Sequence, residues 1–255
     1  MGSAWYVYAI VGRETSLPVS GFSTGLAELA KVPCGKLAAV TQRVLAVESA
    51  PVTMEAVLHH EAVVETVRRQ GPALPVRFGT VFRDASLVAS ALAERYAPLE
   101  AALHRLGDKV EMSLTALWSG AEAGDARIHA VREQEAVAEQ SAGARYLYAR
   151  AAQLRDDETL KRRARMMAEE LDQILGGFAL ERRTTLLPTP RIAVRIAFLL
   201  NPAELAAFQS AFETLRRVRS EMRVVLTGPW PPYTFVKESQ AEDISSDNRL
   251  GTLFQ

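Results

Sequence analysis

The spacing of apolar and polar positions changes period several times along the chain, and each change marks an element. The stretch WYVYAIVG, residues 5–12, is a continuous aromatic and β-branched run closed by Gly12, Arg13 and Glu14, as expected of a buried strand. After a turn-rich stretch to about Gly35, residues 36–47 (KLAAVTQRVLAV) predict a second strand. Beyond Pro51, Met54, Val57, Leu58, Val64 and Val67 fall near helical spacing, with Thr53 as N-cap and Gly71 past the end. Residues 74–82 (LPVRFGTVF) alternate Val76, Phe78, Thr80 and Phe82 on one face, which predicts a half-buried strand. A helix follows, capped by Asp84 or Ser86, closed at Gly107, and kinked or broken by Pro98. KVEMSLTALW, residues 109–118, closes this half as a strand. The order β, β, α, β, α, β over residues 1–118 predicts an α+β domain, a sheet covered by helices with ferredoxin-like features.

The texture changes at Ser119, where SGAEAGDA forms a small-residue linker, and a second domain is expected over residues 119–236. Residues 126–176 carry almost no strand signal. Leu160, Ala164, Met167, Leu171 and Ile174 step by four and three, an a/d seam, and Ala144, Leu147, Ala151 and Leu154 make another out of phase with it. The region is therefore expected to be a long, coiled-coil-like helical insertion that stutters or turns back at residues 155–158 (RDDE) and ends at Gly176 and Gly177. A β-β-α-β unit follows: FALERRTTLL, RIAVRIAFLL, a helix capped by Asn201 with Pro202 at its first position, and MRVVLTG. The sheets are expected to be antiparallel or mixed. The polar composition of residues 237–255 predicts a mobile tail. Its closing LFQ and the opening MGS are either native or remnants of cloning or of a protease site.

Composition narrows the function more than the fold. With 255 residues, two domains of ordinary size are the natural division, and 48% hydrophobic residues are enough to fill their cores. Thirty basic side chains balance thirty acidic ones, so no general field draws in nucleic acid or anionic lipid. The single cysteine, Cys34, rules out an internal disulfide framework and suits a reducing cytoplasm. The first residues lack the basic region of a signal peptide, and no apolar run reaches membrane-spanning length.

Candidate chemistry is sparse. His59, His60 and Glu61, with Glu65 one turn on, resemble a zinc helix, but zinc wants histidines four apart, and adjacent ones point about 100° apart on a helix. The triplet reads as a half-packed helix face. His104 and His129 are isolated, Cys34 has no histidine nearby in sequence, and Asp156, Asp157 and Glu158 read as solvated or capping charges. No glycine-rich phosphate loop and no G-x-S-x-G elbow occurs. The basic runs KRRAR (161–165) and RRVR (216–219) lie beside acidic residues without interleaved aromatics, which fits solvated helix faces better than a nucleic-acid site. No catalytic residue, metal ligand or cofactor-binding residue is assigned, and no cofactor is expected. The alternative is a ligand-binding or enzymatic α+β protein whose site is assembled from distant residues.

One stretch stands out. In VVLTGPWPPYTFV, residues 224–236, a strand runs into Gly228, Pro229, Trp230, Pro231, Pro232 and Tyr233. Three prolines remove backbone donors, so the strand is expected to stop at Gly228 and leave along an extended path. From there Trp230, Tyr233 and Phe235 are expected to pack back on the domain, a rigid corner rather than an exposed P-x-x-P ligand. Together with AWYVYAIVG, LPVRFGTVF, GARYLYARAAQLR and RIAFLLNPAELAAF, this ending is similar to the GvpF/GvpL family of gas vesicle proteins over residues 5 to about 236. In that family the six signature residues, Gly228 to Tyr233, read as structural. The resemblance implies a non-enzymatic cytoplasmic accessory protein of gas vesicle assembly, associated with the vesicle. Its expected partners are the hydrophobic shell protein GvpA and other accessory proteins, not nucleic acid or membrane. It also implies two α+β domains with a helical insertion in the second. For the docking surface the sequence offers candidates only, an exposed strand edge in either sheet or a helical seam, against the alternative that both seams pack internally.

Overall fold

The computed structural model describes residues 3–17, 28–45, 53–118, 142–186, 189 and 191–236. The expected linker from Ser119, His129 and the tail from Lys237 lie outside them, as do the side chains of Ala144, Leu147 and Asp156. The fold is α+β with two sheets, and the chain forms two compact units. One holds the described residues up to Glu111 and those from Pro229 on; the other holds those between Met112 and Gly228.

In the first unit, β1 (Ser3–Gly12) is the central strand. It is hydrogen-bonded antiparallel to β3 (Leu37–Leu45), with a register shift between Val7 and Ala9. Burial on both faces explains its uninterrupted apolar run: Val7, Tyr8, Ala9, Ile10 and Val11 are all at most 3% exposed. The turn-rich stretch before Gly35 holds an unexpected strand, β2 (Leu29–Cys34), which forms a tight hairpin with β3 through Gly35 and Lys36. Pro33 hid it, and β2 tolerates that proline because it lies at the sheet edge.

On the other side of β1, the single strand expected over 74–82 is two short ones, β4 (Ala73–Pro75) and β5 (Val81–Phe82), each paired with β1. Between them Gly79 turns the chain at φ +84°, a conformation glycine adopts without a Cβ clash.

Helix α1 (Met54–Arg68) is capped by Thr53, whose hydroxyl accepts from the Ala56 amide at 3.2 Å. Its buried face is only partly the expected one, since Val64 and Val67 are buried as expected. His60, Val63, Val64 and Val67 face the core, while Met54 and Leu58 are 74% and 61% exposed. The valines join Tyr8, Val11, Ala38 and Val40 in one cluster, each contributing about 1.5–3 kcal/mol by removal from water. The helix expected from Asp84 to Gly107 breaks at Arg95 into α2 (Ala85–Glu94) and α3 (Tyr96–Leu106). The break falls upstream of Pro98, whose ring would meet the carbonyl of Glu94 in a continuous helix. Asp84, not Ser86, caps α2, accepting from the Leu87 amide at 2.9 Å.

Strand β6 (Val110–Leu117), expected in the first sheet, stands in the second one. There it joins α4 (Ala142–Leu175), β7 (Glu181–Leu186), β8 (Ile192–Leu200), α5 (Leu205–Val218) and β9 (Arg223–Trp230). The strand order β7-β8-β6-β9 and the element order β-α-β-β-α-β make a complete ferredoxin-like unit. Helix α4 runs unbroken through residues 155–158, so the two seams lie on one continuous helix. The first seam packs on its own sheet: Ala164 and Leu171 are fully buried, and Leu160 and Met167 rest on Trp118, Ala164 and Ala193. Of the second, Leu154 is 54% exposed. Helix α5 inserts Phe208 beside Phe198, ring centroids 5.1 Å apart. Trp118 is anchored by its indole N–H, which donates to the Thr189 carbonyl at 2.9 Å.

Candidate functional site: the carboxyl-terminal signature and an apolar groove

The six signature residues do not act as one piece. Strand β9 does not stop at Gly228 but continues to Trp230. Gly228 takes φ +119°, which a residue with a Cβ adopts only under strain, and Pro229 stands on an edge strand, where a residue without an N–H is tolerated. Pro229 is exposed, and Trp230, expected to pack back on the domain, is 42% exposed. Burial begins at Pro231 and Pro232, which open a one-turn helix, α6 (Tyr233–Val236). The amides of Phe235 and Val236 both donate to the Pro232 carbonyl, at 3.1 and 3.2 Å.

This turn seats on α3 and β4 of the first unit. Phe235 is fully buried and Val236 is 3% exposed, so these two, not Trp230, are the apolar anchors. Around them the polar groups converge. The Thr234 amide and hydroxyl donate to the two oxygens of Glu111, at 2.8 and 2.6 Å, and Glu111 itself is only 6% exposed. The Tyr233 hydroxyl donates to Glu61 at 3.0 Å. Burial lifts the Glu61 carboxyl above its usual range, against the pull of that hydrogen bond, and burial likewise lifts the Tyr233 hydroxyl. Phe235 packs back as its place after the prolines predicts, whereas Glu111, Thr234 and Val236 carried no signal in the sequence. Glu61 was visible only as part of a discounted histidine motif.

That motif resolves into packing. His60 is 3% exposed and sits in a box of rings, 5.4 Å from Tyr8 and 5.6 Å from both Tyr6 and Phe78 between centroids. Its tautomer follows from its partners. Nε2–H donates to the Val76 carbonyl (3.1 Å), so Nδ1 accepts from the Tyr6 hydroxyl (2.9 Å), which in turn accepts from the Gly79 amide (2.9 Å). The chain ties the β4–β5 turn to α1. No group of three metal-ligating side chains occurs among the described residues.

Burial holds the His60 imidazole down to about 4, from an ordinary value of 6.5; the Val76 hydrogen bond opposes the shift and His59 adds to it. As pH falls below 6.5 the unfolded chain takes up a proton that the folded one refuses until about pH 4. Stability is therefore full above 6.5 and lost across that window, by roughly 3 kcal/mol. Urea midpoints between pH 7 and 4 measure this, and His60→Leu is expected to flatten the slope.

The second unit carries an apolar groove of about 530 Å³ between α4 and α5, lined by Ile174, Phe178, Ala207, Ala211, Leu215 and Val218 among others. Ile174 and Val218 are 38% and 72% exposed. Arg219, also in the lining, is ion-paired with Glu170 of α4. The basic runs are tied to acidic neighbours: Arg165 to Glu158 at 3.6 Å, and Arg216 to Glu213 at 3.6 Å. Cys34 is half-buried beside the β2–β3 turn. Among the described residues no helix is long and apolar enough to cross a membrane.

Residues 4–237 match the family model described as gas vesicle synthesis protein GvpL/GvpF. Gas vesicle protein F1 of Halobacterium salinarum is 21% identical over 234 residues, which is 91% of this chain and 92% of that protein. Gas vesicle protein L2 of the same organism is 28% identical over 206 residues, 74% of this chain and 71% of its own. The crystal structure of GvpF from Anabaena superposes with a TM-score of 0.66 at 18% identity, covering 92% of this chain and 98% of that one. GvpF from Microcystis aeruginosa gives 0.67 at 18% identity, covering 91% and 98%. The two crystal structures show the α+β fold, and the match across nearly every described residue shows that this chain belongs to the GvpL/GvpF family of gas vesicle synthesis proteins.

Proposed function

We propose that this protein is a non-enzymatic assembly factor of gas vesicle formation that binds the shell protein GvpA, and other accessory proteins, in the cytoplasm. The family match over residues 4–237 carries the reading. The physical need is plain: a very hydrophobic shell subunit presents apolar faces and strand edges that aggregate before assembly, and a protein that covers them keeps assembly productive. What supports a binding role for this chain is the groove between α4 and α5, an apolar hollow with small residues, Ala207, Ser210 and Ala211, along one wall.

Both edges of the second sheet are less suited to docking a strand. β7 opens with Glu181, Arg182 and Arg183, and β9 carries Gly228 and Pro229 in its last residues, devices that blunt edge pairing. The helical groove is therefore the docking surface in this reading, and the six signature residues are structural. Co-expression of the tagged full-length chain with GvpA tests it. GvpA is expected to co-purify, and deletion of the gene from a vesicle-forming host is expected to abolish or deform the vesicles. Normal vesicles in the deletion strain would overturn the reading.

A further inference from the structure

We propose that the amino-terminal half of α4 docks a partner helix of acidic, amphipathic character, on a surface separate from the groove. Helix α4 has 34 residues, about 51 Å of helix at 1.5 Å per residue. Its second half packs on the unit's own sheet: Leu160 and Met167 rest there, and Ala164, Ala168, Leu171 and Leu175 are buried. Upstream of Leu160 the pattern stops. Every side chain described between Arg150 and Thr159 is exposed, Leu154 at 54%. The stretch from Ala142 to Thr159 is about 18 residues long, and a helix of that length draws most of its stability from packing an apolar face.

The sequence supplies such a face. Ala144, Leu147, Ala151 and Leu154 take heptad positions a and d, and at 3.6 residues per turn their stripe is turned roughly 150° from that of Leu160, Ala164, Met167 and Leu171. It is therefore not a continuation of the face that covers the sheet. Its flanks say what it takes. Residues 142–155 carry Arg145, Arg150 and Arg155 and no acidic residue, and Arg150 and Arg155 hold the g and e positions that border the stripe, where charge selects the partner. A second copy of this chain is a poor match. In a parallel pair Arg150 at g meets Arg155 at e of the other copy, and in an antiparallel pair centred on the stripe Arg150 meets its own counterpart. A helix with apolar residues at a and d and glutamate or aspartate at e and g satisfies both arginines in either direction. Nucleic acid fits less well, because the face between these arginines is apolar rather than basic.

Fluorescence anisotropy of a labelled three-heptad peptide, with leucine at a and d and glutamate at e and g, titrated with the full-length chain, tests this. The same peptide with lysine at e and g is the control. The glutamate peptide is expected to bind at least tenfold more tightly, and Arg150→Glu with Arg155→Glu to reverse the preference. Leu154→Asp is expected to remove binding without moving the thermal melt, and Val218→Lys, in the groove, to leave binding unchanged. Absence of binding, equal affinity for the two peptides, or a preference that survives the charge reversal would overturn the proposal. Three other results overturn it by naming another site or occupant. Loss of binding in Val218→Lys places the peptide in the groove, a dimer of the free chain that Leu154→Asp dissolves makes a second copy the occupant, and tighter binding of a short DNA duplex makes it nucleic acid. Capture of GvpA through the groove is measured separately, so the failure of either reading leaves the other standing.

Discussion

Phe235→Ala lowers the stability of the first unit by about 3–5 kcal/mol, the range for removing a fully buried aromatic ring and leaving the hollow behind. Phe235 is fully buried on α3 and β4, on a turn whose backbone is stiffened by Pro231 and Pro232, so the surroundings have little freedom to collapse into the space. Trp230→Ala is the matched control five positions upstream: with 42% of the residue exposed, it costs less than about 1.5 kcal/mol despite the larger ring. Urea denaturation of both variants separates the two. A Trp230 variant as unstable as the Phe235 variant would mean that the signature is anchored by its tryptophan after all.

Ala207→Arg combined with Val218→Lys reduces capture of GvpA at least tenfold while leaving stability within about 0.5 kcal/mol of wild type, the usual range for exposed positions. Ala207 is exposed on the groove wall and Val218 is 72% exposed at the end of α5. Arginine is a good helix former, and lysine near a helix carboxyl end complements the dipole, so neither change strains α5. What they do is fill an apolar hollow with two solvated charges that a hydrophobic partner would have to desolvate. Pull-down with tagged protein, alongside a thermal melt, reads both quantities. Undiminished capture by a folded double variant would move the docking surface elsewhere on the chain.

Local signals in the sequence were sound wherever one face or one cap decided the outcome. β1 is buried on both faces and so reads as an unbroken apolar run, and Thr53 caps α1 through a bond to a residue three positions on. Signals failed where a distant partner decides. β6 is plainly a strand in its residues, yet nothing in them says that its neighbours are β8 and β9 rather than β1. The face of α1 follows the apolar spacing at Val64 and Val67 and departs from it at His60, a polar residue in a core position that the rings of Tyr6, Tyr8 and Phe78 make hospitable. The segment from Gly228 to Tyr233 was legible as a stiff corner of chain. Its seat was not, since Glu111 and Thr234 meet across more than a hundred residues of intervening sequence, and neither stands out alone.

The three tryptophans of this chain stand in unlike surroundings, and that gives the protein an internal optical gauge. Trp118 is sealed in the second unit at 6% exposure with its indole N–H engaged, whereas Trp230 is 42% exposed at the end of β9. A collisional quencher therefore darkens Trp230 first and reaches Trp118 only when the second unit opens, so emission from a variant carrying both Trp5→Phe and Trp230→Phe follows that opening without interference from the half-buried Trp5 of β1 or from the exposed ring.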